Sequence, residues 1–162
     1  MERPIFNSSC LNRTWNSATN RLAHWLFDAD YRNQLNNYNT TPYSPMSFTT
    51  NGYVNQAIIF TYSNISMLIA PYLPLSNSSF TVDMSLYITH LRADMNNHAV
   101  FGICSQYLGF KCLHLILRRV FSNFVLSLNF FYNDCRGVTA LTLNTRIHAA
   151  FAFDSVTLMQ KV

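Results

Sequence analysis

Cys104 and Cys112 bracket the segment SQYLGFK, and the runs on either side, HAVFGIC and CLHLILRR, both have the composition of strands. If those runs form a hairpin, the two thiols face each other across it and a disulfide can close. The alternative is a pair of buried free thiols. Closing so short a loop is worth about 2–3 kcal/mol through the unfolded state. Cys10 and Cys135 complete the cysteine set; there is no CxxC pair and no linear Cys/His spacing of a zinc site. The five histidines form neither HxH nor HExxH.

Carboxylates are scarce. The only Glu is Glu2, and the six Asp stand at 28, 30, 83, 94, 134 and 154, with Asp28 and Asp30 the sole pair spaced by two. Glycoside hydrolysis needs two carboxyl groups flanking one bond. That shortage predicts a chain that is not an enzyme. Five Asn-x-Ser/Thr acceptors occur, at Asn7, Asn12, Asn39, Asn64 and Asn77, and each could carry a glycan in a secreted protein.

These residues must be held by a fold that composition and periodicity describe. At 162 residues the length suits one domain, with residues 1–18 a polar lead-in and 19–162 the folded part. Only 11% of residues are charged, against roughly 25% in ordinary soluble domains. The net charge of +4 comes from nine Arg and two Lys spread thinly, with Arg118 and Arg119 the only adjacent pair, so no nucleic-acid partner is expected. No uncharged apolar stretch is long enough to span a membrane. The cysteines and acceptor asparagines favour an oxidising, extracellular compartment. Because Met1-Glu2-Arg3-Pro4 does not open a signal peptide, either a signal lies upstream of a fragment or the export inference fails.

Alternation of period two dominates from about residue 20. Phe80, Val82, Met84, Leu86 and Ile88 share one face of SFTVDMSLYI, and Leu113, Leu115 and Leu117 share a face opposite His114, Ile116 and Arg118. NFVLSLNF places Phe124, Leu126, Leu128 and Phe130 inward, and RIHAAFAFD does the same with Ile147, Ala149, Phe151 and Phe153. Shorter candidates are LAHWLFD, QAIIF, SMLIA and HAVFGIC. Eight or more short strands with no amphipathic helix predict an all-β, two-sheet antiparallel sandwich.

The order LAHWLFD, NGYVNQAIIF, LPLSNSSFTVDMSLYI, CLHLILRR, NDCRG and NTRIHAAFAFDSVTLMQKV resembles the laminin G-like group of concanavalin A-like jelly rolls, over residues 20–162. Ser85 and Arg146 stand where that family usually carries Trp. The resemblance implies that the run begun at Thr157 continues into a Tyr-Leu-Asn-Gly turn, with roughly 30–50 further residues completing the jelly roll. It implies calcium at one rim, to which Asp28, Asp30, Asp134 and Asp154 could contribute. Cys10 and Cys135 would pair with each other or with residues beyond Val162. The implied function is a non-catalytic recognition module of a larger secreted or cell-surface protein, binding a glycan or an extracellular protein. Its rim loops would be 28–50, 92–98 and 131–138. The alternatives are a degenerate structural copy without a ligand, and a glycoside hydrolase completed by further carboxylates.

Overall fold

A computed structural model of the chain describes residues 21–61, 66–75, 78–104, 112–130 and 133–162. The fold is all-β with antiparallel pairing throughout; among the described residues there is no helix, and so none long and apolar enough to cross a membrane. The polar lead-in 1–18 lies outside the described residues. The chain divides into two units, Met1–Leu73 and Pro74–Val162.

In the first unit, β1 (Thr41–Pro42) pairs with β4 (Leu68–Ile69), and β2 (Ser47–Thr49) pairs with β3 (Ala57–Ile59). QAIIF and SMLIA thus supply β3 and β4, but the strand expected at LAHWLFD is corrected to a loop. Phe27 and Ala29 adopt φ of 56° and 63°, which an extended strand does not tolerate, and Trp25 makes only an isolated bridge to Asn33. The fully buried Asn33 side chain organises the loop, its Oδ1 accepting from the His24 and Leu35 amides at 2.8 and 3.2 Å. Trp25 Nε1 donates to the Tyr38 carbonyl at 2.7 Å. Side-chain-to-backbone bonds have replaced the ladder here.

The second unit holds two sheets. One runs β11 (Met159–Lys161), β10 (Arg146–Asp154), β5 (Phe80–Tyr87); the other runs β6 (Asn97–Cys104), β7 (Cys112–Val120), β8 (Asn123–Phe130), β9 (Asn133–Arg136). A single hydrophobic cluster draws on both. Leu113, Leu115 and Leu128 come from the four-stranded sheet and Ala149 and Phe151 from the three-stranded one. Leu115 and Phe151 have no solvent exposure, and burying a side chain of that size contributes about 1.5–3 kcal/mol. Phe80, Val82, Met84 and Leu86 pack against the cluster, and Phe80 meets Phe153 at 5.7 Å between ring centroids. The period-two reading of β5 and β10 matches this placement.

The run after Asp154 pairs with β10 itself: Ala152 lies opposite Lys161, Phe153 opposite Gln160, and Asp154 opposite Met159. Ile116, Val125 and Ser127, on the face away from Leu115 and Leu128, are also buried.

Candidate functional site

Antiparallel register decides which side chains share a face. On the side of the four-stranded sheet away from the core, Asn97 lies opposite Arg118, Gly102 opposite His114, and Cys104 opposite Cys112. His114 in turn lies opposite Asn129, and Asn129 opposite Asp134. A register shift between Ala99 and Phe101 leaves Val100 as an extra residue in β6. Such a bulge resets the alternation. Phe101 and Ile103 consequently point to the core while Asn97 and Cys104 share the opposite face.

Arg118 occupies the centre of a polar network. Its Nη1 donates to Asp134 Oδ2 at 3.0 Å, its Nη2 to Asn129 Oδ1 at 3.2 Å, and its Nε to Asn97 Oδ1 at 3.4 Å. Ser127 Oγ joins by donating to Asn129 Oδ1 at 3.2 Å. Since Arg118 starts opposite Val125, its stem must cross Ser127 to reach Asn129, and Ser127 has no solvent exposure. A long arginine stem covering a neighbour while its head stays wet is ordinary behaviour. The side chains of Arg118 and Asp134 remain 27% and 43% exposed, so the guanidinium can meet a ligand without unfolding the sheet. Three fixed acceptors around a planar fork make a rigid plate of donors and acceptors.

A second cluster sits farther along the same face. Cys104 and Cys112 form a disulfide with Cα atoms 4.2 Å apart, as a directly opposed cross-strand pair allows. His114 Nε2 lies 3.4 Å from Cys104 Sγ. The ring rests against Gly102, where an added Cβ would stand only 3.1 Å from His114 Cδ2. The two sulfurs and the imidazole nitrogen all lie within 4.8 Å of one another, and this is the only such group of metal-ligating side chains among the described residues.

The carboxylates singled out by sequence serve local roles. Asp28 accepts from Asn55 Nδ2 at 2.9 Å and from the Gln56 amide at 3.3 Å, and Asp30 accepts from the Arg32 amide at 3.1 Å. Asp154 accepts from the Val156 and Thr157 amides at 2.9 and 3.2 Å, bonds that lower its pKa below the ordinary value. Asp83 pairs with His148, and Asp94 with Arg92. None of the six is brought into a shared metal-binding group.

Asn39 is exposed, with its Oδ1 accepting the Asn33 amide at 2.8 Å. Asn7, Asn12, Asn64 and Asn77 lie outside the described residues, as does Cys10. Cys135 faces the core opposite Leu128 and forms no disulfide among the described residues; burial pushes its thiol pKa up, and the thiol donates to the Gln160 carbonyl at 3.7 Å. Asn97 and Asp134 fall in the segments 92–98 and 131–138 expected as rim loops, but the structure corrects this and places them in β6 and β9, and the sequence did not single out Arg118, Asn129 and His114 as a site. Their shared alternation, with polar residues at even positions of β7 and an odd one of β8, was the available signal.

Comparison of this chain with family models, with curated proteins and with solved structures finds no match.

Proposed function

We propose that this chain is a non-catalytic recognition module, a laminin G-like jelly-roll sandwich belonging to a larger secreted or cell-surface protein, and that its ligand is a glycan. The observation that carries this is the Arg118 network, which ties Asn97 of the 92–98 segment and Asp134 of the 131–138 segment to one partly exposed guanidinium. Sugar hydroxyls and uronate or sulfate groups are recognised by such planar, preorganised donors and acceptors. The cross-strand disulfide and the exposed acceptor Asn39 fit an oxidising compartment. Against a hydrolase stands the engagement of all six Asp side chains by protein donors, none left as a paired acid and base.

A second reading, a structural copy without a ligand, draws on one observation. Where the resemblance expects Trp, Ser85 lies opposite His148 and Arg146 opposite Tyr87, whose ring the Arg146 guanidinium overlies at 5.9 Å. That face is filled by protein contacts. The deciding experiment is binding of the full chain to a panel of immobilised neutral and sulfated oligosaccharides, with Arg118→Ala in parallel. Retention of at least one glycan, lost in the variant while the disulfide persists, supports recognition. No retention leaves the structural copy, and equal retention by the variant means that a glycan binds somewhere other than the Arg118 network.

A further inference from the structure

We propose that the Cys104, Cys112 and His114 cluster is a redox-gated zinc site: a disulfide when oxidised, and a three-donor site for a thiophilic divalent cation, Zn2+ above all, when reduced. This is independent of glycan recognition, although His114 lies opposite Asn129 of the Arg118 network. Linear spacing gives no hint of it, because the donors are assembled by cross-strand register: Cys104 opposite Cys112, and His114 two residues on, on the same face.

Three features of the geometry point to the metal. The donor set is two sulfurs and one imidazole nitrogen, the soft and borderline ligands that zinc selects. All three atoms lie within 4.8 Å, and the 3.4 Å from Cys104 Sγ to His114 Nε2 is close to the edge of a zinc-centred tetrahedron, so the imidazole can stay in place while the two sulfurs, once reduced, move apart to share the ion. Gly102 supplies the third feature. Lying opposite His114, it leaves the space in which the ring lies, and a methyl group there would press on Cδ2. Cys104 is exposed and Cys112 half-buried, which gives both reductant and metal an approach.

Two equivalents of a small thiol reduce the disulfide; their sulfurs are oxidised to a new disulfide, and Cys104 and Cys112 become thiols. Zn2+ then binds both sulfurs and neutral His114, displacing the two thiol protons to solvent. The fourth position is left for water. In the reverse step a small-molecule disulfide takes up the two electrons and two solvent protons and leaves as two thiols, Cys104 and Cys112 rejoin as a disulfide and the ion is ejected, so the sheet surface carries a metal only under reducing conditions.

The test uses the full chain carrying Cys10→Ser and Cys135→Ala, reduced with a phosphine under argon and titrated with Co2+. The expected result is one equivalent bound, with a thiolate-to-cobalt charge-transfer band, visible bands of a tetrahedral ion, and displacement of both by Zn2+. The oxidised chain should give no band. His114→Ala should weaken binding by at least about tenfold, and Gly102→Ala, which only displaces the ring, by a smaller factor. Cys104→Ser should remove most of the charge-transfer intensity. A reduced chain that keeps its strand circular dichroism but gives no band overturns the proposal. So does a chain that loses its strands on reduction, or undiminished affinity in His114→Ala.

Discussion

Asn97 and Cys104 share one face of β6 although an odd number of positions separates them, because Val100 is an extra residue in the strand. Strict alternation would send one of the two into the core. The bulge therefore brings Asn97 onto the surface that Cys112, His114 and Arg118 already share on β7. Deleting Val100 should close the bulge and keep the pairs on either side of it, Ala99 opposite Ile116 and Phe101 opposite Leu115, so that Asn97 stays opposite Arg118 and His98 keeps its edge-on contact with Phe124. The urea midpoint should then change by less than about 1 kcal/mol, with Cys104–Cys112 still intact by mass spectrometry. A loss of about 1–3 kcal/mol would mean that the deletion turns Asn97 inward and that Val100 does not simply stand out of the ladder.

The Arg118 fork makes a second, separable prediction. Arg118→Ala removes three side-chain hydrogen bonds and the stem that lies over Ser127, and is expected to cost about 1–2 kcal/mol. Asp134→Asn breaks only a partly exposed ion pair and should cost less than about 1 kcal/mol. Urea midpoints of the two variants give the comparison. Equal losses would show that the ion pair, and not the stem, carries the stabilisation.

Much of the second unit was legible in the sequence because its strands alternate cleanly. Phe80 to Leu86 and Ala149 to Phe153 declare their inner face, and the disulfide follows from placing Cys104 and Cys112 at the ends of adjacent runs. What escaped has physical causes. LAHWLFD has the composition of a strand, but the Asn33 side chain, which satisfies the His24 amide, offers the backbone a loop instead. Ile116 and Val125 are buried on the face of their strands away from the core cluster, through packing that no period reveals. The metal-ligating group stayed hidden for a related reason: its donors come from two strands and meet through cross-strand register, which linear spacing does not show.

The turn between β7 and β8 was also silent, since no Gly or Asn marks it. Val120 lies opposite Asn123, so Phe121 and Ser122 form a two-residue hairpin loop, and Phe121 takes φ of 55°. Glycine is the usual residue where the first loop position needs positive φ. A bulky side chain there is strained by about 1–2 kcal/mol, and Phe121, 94% exposed, recovers little from burial. Phe121→Gly should therefore raise stability by about 0.5–1 kcal/mol, the strain relieved being partly offset by the entropy of glycine. Thermal unfolding checks it; a lower Tm would mean that Phe121 makes a stabilising contact its exposure conceals.

Asp154 ties the final hairpin to pH. Its carboxylate accepts from the Val156 and Thr157 amides, and those backbone bonds, the largest cause, hold its pKa below the ordinary value. A depressed folded-state pKa stabilises the fold wherever the unfolded group is already ionised, above about pH 4, and that contribution disappears as pH falls through the lower folded value. The turn from Ser155 to Leu158 and the pairing of Met159 with Asp154 should loosen in that acid window. In Asp154→Asn the side-chain oxygen still accepts from both amides but no longer titrates, so the turn should persist without the acid transition. Following the Val156 amide resonance from neutral pH down to about pH 2 distinguishes the two chains. The native chain should show a titration with a midpoint below the ordinary Asp value, and the Asn variant a flat line. A midpoint at or above that value in the native chain would show that the amides do not hold the carboxylate.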